Sequence, residues 1–201
     1  LYITQDLLHA RDATRLRRRG ASPVEDAIAR GLEWMEQEFE PDDNPGSHRD
    51  YFYYAWCVER VGLASGRRTF GGTDWFRGCA AEVIDRLCTW DPDSGVMRLH
   101  EKMRGRANGA EIRVRHLAFA LLFLSRGRVP VAFNKLEVDD LRWNNRPRDV
   151  ANLTRAIGHT IEREVNWQIV DFGTPLEIWL DAPVLVLATD ENVPWTKDED
   201  G

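Results

Sequence analysis

The 201 residues are 43% hydrophobic and 30% charged and include eight Trp, which excludes a disordered chain and allows one sizeable core or two smaller ones. A net charge of -6 excludes a general binder of nucleic acid or of an anionic membrane surface, since neutralising phosphate takes clustered Lys and Arg. No apolar run is long enough to span a bilayer, and Cys57, Cys79 and Cys88 are odd in number, lack a CxxC pair and read as buried thiols, not a disulfide framework.

The first residues, "LYITQDLLHA", have no charged region followed by an apolar stretch and a cleavage site. The chain does not begin with Met and reads as an internal piece of a longer protein, so the localisation of that parent, exported or periplasmic included, stays open. Arg15, Arg17, Arg18 and Arg19 form a basic run that suits either a bound phosphate or a solvated helix end. The first predicted helix is announced by "SPVE": Ser22 as N-cap, Pro23 at the first helical position, and Glu25 three residues past the cap. Ile28, Leu32, Met35 and Phe39 make its apolar stripe, and Pro41 stops it. A second helix is predicted from Asp50 to Ala64 with Tyr51, Tyr54, Ala55, Val58 and Val61 on one side, its end marked by Gly62 and Gly66.

After "SGRRTFGG", where Gly71 and Gly72 allow a turn with positive φ, a third helix from Thr73 to Thr89 carries Phe76, Cys79, Ala80, Val83 and Leu87, and "WDPDSG" closes it. The fourth, Glu111 to Ser125, contains "LAFALLFL", apolar nearly all round, and is predicted to be the most buried. Helix starts recur about every 25 to 35 residues, which suggests stacked helical hairpins in an αα solenoid or toroid. From Pro130 the period changes: "VAFNKLEV" reads as strand, "RPRDVANLTRAIGHTIERE" as helix, "NWQIVDF" as strand, "PLEIWL" as a short helix and "PVLVLAT" as a strand buried on both faces. This β-α-β-α-β alternation predicts a parallel sheet, mainly α chain giving way to α/β, with residues 1–129 helical and 130–201 the start of a flavodoxin-like domain that reads as truncated.

"YFYYAWCVERVGLASGRRTFGGTDWFRGCA" resembles the helix-turn-helix repeat of bacterial terpenoid-cyclase and prenyltransferase-like α/α toroids. "LAFALLFLSRGRVPVAFNKL", "WNNRPRDVANLT", "NWQIVDF" and "LDAPVLVLAT" are similar to the bacterial domain of unknown function 4159 that follows such toroids. The resemblance implies the last helices of a toroid joined to a flavodoxin-like, amidotransferase-like domain, and it implies no established activity.

Tyr51, Tyr54, Trp75 and Phe76 stand at the first turns of successive predicted helices, where they either wedge hairpins together or line a toroid cavity. The acid motif of a protonating cyclase has its nearest match in "EVDD", Glu137, Asp139 and Asp140, which lies past the helical region. Asp74, Cys79 and His116 supply the residue types of a prenyltransferase zinc site without its close spacing, and no Cys follows Cys88 to serve as an amidotransferase nucleophile. No metal or cofactor is therefore expected. The remaining cluster is "RWNNRPRDVANLT": Arg142, Asn144, Asn145, Arg146 and Arg148 precede a helix at the carboxyl end of the sheet, a place for an anionic ligand. The other reading makes Asn145 the helix cap, Asp149 a complement to the helix dipole and the arginines structural. The sequence thus points to a non-enzymatic binding or interaction module, taking a small anion or a protein partner; the competing class is a cyclase or prenyltransferase-type enzyme.

Overall fold

The computed structural model describes residues 23–100, 110–127, 129–139 and 141–191; the arginines at 15–19, the capping Ser22 and Asp140 lie outside the described residues. The chain is mixed α/β and divides into two compact units, Leu1–Ala64 with Arg68–Arg128, and Ser65–Arg67 with Val129–Gly201.

In the first unit, helix α1 spans Pro23–Glu38, α2 Tyr51–Ser65, α3 Trp75–Leu87 and α4 Ala110–Arg126. Their apolar stripes meet in one core that takes Met35 from α1, Tyr51, Phe52, Tyr54, Ala55 and Val58 from α2, Trp75, Cys79, Val83 and Leu87 from α3, and Ala120 and Phe123 from α4. Two tyrosine hydroxyls satisfy the loop after α1: Tyr51 donates to the Pro41 carbonyl at 2.5 Å and Tyr54 to that of Glu40 at 3.0 Å. The α3 N-cap is Asp74, whose carboxylate accepts the Arg77 N–H at 2.9 Å.

Several local expectations change. Gly62 lies inside α2 and does not end it; a Cβ there would stand 2.4 Å from Trp75 Cε2, so the glycine is the seat of the indole. Gly66, at φ +74°, is the residue that follows the helix end. Gly71 and Gly72, both at positive φ, form the two-residue turn of a small hairpin, strand β1 (Thr69–Phe70) with β2 (Thr73–Asp74), so α3 starts two residues later than predicted. A second hairpin, β3 (Cys88–Asp91) with β4 (Val96–Leu99), replaces the predicted last turn of α3. Its turn is held by the Asp91 carboxylate, which accepts from Ser94 Oγ at 2.8 Å and the Asp93 N–H at 3.1 Å.

Helix α4 is not buried all round. Phe123 meets Trp75 and Phe76, and Phe119 meets Tyr53 and Trp56, but Val114, Leu121 and Leu122 are exposed. The cause is geometric, since α2 and α3 reach only one side of the helix. Among the three thiols only Cys79 is fully buried; Cys57 and Cys88 are half-buried.

The second unit is a three-stranded parallel sheet, β5 (Val131–Leu136), β6 (Asn166–Val170) and β7 (Val184–Val186), in the order β6–β5–β7. Helix α5 (Asp149–Ile161) connects β5 to β6, and the single-turn α6 (Leu176–Trp179) connects β6 to β7. Phe133 and Trp167 pack against Val150 and Ala151 of α5. Asn134, one residue on and so on the opposite face, donates to the Trp179 carbonyl at 2.8 Å, and its register partner Gln168 donates to the Ile178 carbonyl at 2.9 Å and to Asn134 Oδ1 at 2.9 Å. Each face of the sheet therefore carries one helix, and two buried amides satisfy the last carbonyls of α6. Strand β7 is not buried on both faces as its sequence predicts: among the described residues it pairs with β5 alone, and Val184 and Leu185 are exposed.

Candidate functional site

The segment from Arg142 to Asp149 is folded around a buried lysine. Lys135 points from β5 toward the α5 face with 0% of its surface exposed. Its ammonium donates to Asn144 Oδ1 at 3.0 Å, to the Arg146 carbonyl at 3.1 Å and to Asp149 Oδ1 at 2.8 Å, and it lies 5.6 Å from the Trp143 ring. Three donors meet three acceptors, which is the full capacity of the group.

The candidate residues consequently separate. Asn144 holds the lysine through its amide oxygen. Arg142 reaches across to the segment after β7, with Nη1 3.4 Å from Asp190 Oδ2 and its backbone N–H 3.2 Å from Glu191 Oε2. Arg148 is buried and occupies the N-cap position of α5, without a side-chain cap bond, so the predicted cap Asn145 lies three residues too early. Asn145 and Arg146 have exposed side chains. The amino end of α5 already holds a carboxylate: Asp149 Oδ1 accepts the Val150 N–H at 2.6 Å as well as the lysine.

Acidic groups gather where the strands end. Glu137 directly follows β5, and burial raises its carboxyl above the ordinary value, helped by Asp171 and Asp139 and opposed by Arg67. Asp171 follows β6 and is tied into a turn by Thr174, whose hydroxyl donates to it at 2.8 Å.

The aromatic candidates of the helical unit are mostly interior. Tyr51, Tyr54 and Trp75 are buried in the core, and Phe76 packs at its margin, where a Cβ on Gly127 would be 2.1 Å from the ring. Burial raises both tyrosine hydroxyls, and the Cys79 thiol is pushed up to about 12 by burial, the opposite of an activated nucleophile. Asp74 is engaged as a helix cap and with Arg68 at 3.1 Å, and His116 lies 5.0 Å from the Phe52 ring. Among the described residues no group of three His, Cys, Asp or Glu is placed to hold a metal, and no helix is long and apolar enough to cross a membrane.

A feature that sequence reading did not single out lies on the α6 face of the second unit. Phe172, Leu176, Leu180 and Leu185 are 77%, 68%, 75% and 51% exposed. Phe172 stacks on Trp179 with centroids 6.5 Å apart, Leu176 and Leu180 are one helical turn apart, and Leu185 is in register with Asn134 beneath α6. Isolated apolar side chains are ordinary on a surface, whereas several exposed ones gathered along residues 172–185 draw attention to that stretch. Residues 171–191 also carry five carboxylates, Asp171, Glu177, Asp181, Asp190 and Glu191, and no Lys, Arg or His. The signal was present in "FGTPLEIWLDAPVLVL", but an apolar run alone does not say which of its residues a neighbour will cover.

Searches of protein-family models, of curated proteins and of solved structures found no match to this chain.

Proposed function

We propose that the chain is a non-enzymatic interaction module, in which toroid-type helical hairpins are followed by the opening strands of a flavodoxin-like sheet that presents a protein-binding face. The resemblance of the helical repeat to terpenoid-cyclase and prenyltransferase-like toroids supports the first half. The strand order β6–β5–β7, with the first strand between the second and third, is how a doubly wound sheet of the flavodoxin kind begins, and this supports the second.

The observation that carries the functional reading is the apolar face of Phe172, Leu176, Leu180 and Leu185. A protein partner fits it better than a small anion fits the Arg142–Arg148 turn, because Asp149 already fills the helix end and Arg142 already faces two carboxylates. Chemistry finds little support in the same places: the Lys135 amine is fully bonded and the Cys79 thiol is buried and protonated.

Selection of displayed random peptides on the whole chain tests this. Enriched peptides should lose binding at least about tenfold, or about 1.4 kcal/mol, to the Phe172→Asp, Leu180→Asp double variant, with its melting temperature kept. Enrichment of nothing, or turnover of squalene or an isoprenoid diphosphate by the chain, would contradict the reading.

A further inference from the structure

We propose that the loop joining α1 to α2 is a pH-sensitive clip, closed while a protonated His48 holds Asp43 and released at residues 43–49 when the imidazole loses its proton. The clip does not depend on the interaction-module reading.

The loop has fixed roots. At its start the Tyr54 hydroxyl donates to the Glu40 carbonyl at 3.0 Å, the Tyr51 hydroxyl to that of Pro41, and Arg86 Nη2 of α3 to that of Asp42 at 2.6 Å. Burial raises both tyrosine hydroxyls, so they remain donors through neutral and mildly alkaline pH. At its end the Asp50 carbonyl accepts the Tyr53 and Tyr54 N–H groups at 2.9 and 3.0 Å, and the Asp50 carboxylate takes Arg115 Nη2 of α4 at 3.0 Å. Between these roots, Gly46 to Arg49 are exposed. The tip is tied by Asn44, whose carbonyl accepts the Ser47 and His48 N–H groups at 3.1 and 3.0 Å and whose side-chain amide donates to the Arg49 carbonyl at 2.7 Å. It is also tied by the contact of His48 Nδ1 with Asp43 Oδ2.

The backbone of this tip is held in an uncommon conformation. His48 and Asp50 both have φ +52°, and Gly46 has φ +75°. A left-handed residue other than glycine persists where its neighbours hold it, and such residues gather at switch regions. His48 is held by its N–H on Asn44 and by its ring on Asp43, and of these two only the ring titrates near neutrality. Protonated, the ring donates from Nδ1 to the carboxylate. Neutral, it keeps one N–H, and with that proton on Nε2 it turns a lone pair toward Asp43.

The surrounding charges set the direction. The hydrogen bond to Asp43 and then its charge raise His48 above its ordinary value, burial opposes slightly, and Glu40 adds to the rise. The bond from His48 and the Asn44 N–H lower Asp43, with the charges of His48 and Arg86 helping; Arg86 is itself paired with Glu82. The His48 contribution is therefore complete below about 6.5 and is lost as pH rises through its raised value, whereas that of Asp43 is lost only as pH falls through its lowered value. The clip is closed between the two and opens on the alkaline side. With side chains 75% and 32% exposed, the pair shifts the loop population modestly.

The test follows imidazole and amide resonances of the whole chain across pH, together with trypsin cleavage after Arg49, normalised at each pH to a free peptide of residues 41–55. The His48 midpoint should lie above about 6.5 and fall toward it in Asp43→Asn. The Ser47 and His48 amides should shift with the same midpoint. Normalised cleavage should rise about twofold to fivefold through it and be independent of pH in His48→Gln, with the circular dichroism of both variants unchanged. A midpoint at or below about 6.5, a midpoint unmoved by Asp43→Asn, or cleavage whose pH dependence is absent or survives His48→Gln would overturn the proposal.

Discussion

Lys135 is the residue on which the 142–149 turn depends. A buried ammonium is stable only when its charge and its three donors are met, and here Asp149, Asn144 and the Arg146 carbonyl meet them from a segment that has no regular structure of its own before α5. Replacing Lys135 with Met keeps the length of the side chain and removes the cation, leaving three acceptors facing it. Breaking a buried pair costs about 3 to 5 kcal/mol, and Asp149, whose side chain is 25% exposed and which keeps its Val150 N–H, puts the expected loss near the lower end, about 3 kcal/mol. Urea unfolding measures it; a loss under about 1 kcal/mol would show that the turn orders itself without the lysine. The candidate cluster was visible in the sequence as a group of Arg and Asn before a helix, but its purpose was not. A pattern reading of "VAFNKL" treats a strand lysine as a surface residue, and only the three-dimensional register brings it under Asp149. The same limit hid the roles of Asn134 and Gln168, two amides on neighbouring strands whose partners are carbonyls of a later helix.

At the scale of elements, helix interiors were legible and helix ends less so. Apolar spacing in α2 and α3 agrees with the residues that enter the core, and of the α1 stripe Leu32, Met35 and Phe39 reach it while Ile28 does not, because side-chain period and burial share one cause. The two hairpins were missed because their strands are two and four residues long, too short for alternation to register, although "GG" between "TF" and "TD" is a hairpin turn signal. Gly62 was read as a terminator because glycine is a helix breaker in general; its place against Trp75 is a tertiary fact. That contact yields a prediction. Gly62→Ala gains up to about 1 kcal/mol of helix propensity but puts a methyl 2.4 Å from the indole Cε2, so a net loss of about 1 to 2 kcal/mol is expected in thermal or urea melts. Trp75→Ala should cost about 3 to 5 kcal/mol. Adding Gly62→Ala to Trp75→Ala should then be neutral or stabilising, and an additive loss would mean that the ring does not rest on this glycine.

For the molecule as a whole, the spacing of apolar residues and its change of period near Pro130 were enough to read a mixed α/β chain with helices before a parallel sheet, because period and burial share one cause. The exposure of apolar residues from Phe172 to Leu185 was not legible, since spacing identifies which residues are apolar and not which ones a single-turn helix and a three-residue strand leave uncovered. Under the proposed function a partner binds the exposed apolar residues of this stretch, while the aromatic residues Tyr51, Tyr54 and Trp75 of the first unit are core and the Arg142–Arg148 turn is structure around Lys135. Mapping the amide resonances of the whole chain against the best-enriched displayed peptide tests it directly. Shifts confined to residues 172–186 are predicted. Shifts centred on Tyr51 to Phe76, or on Arg142 to Arg148, with residues 172–186 unmoved, would contradict it.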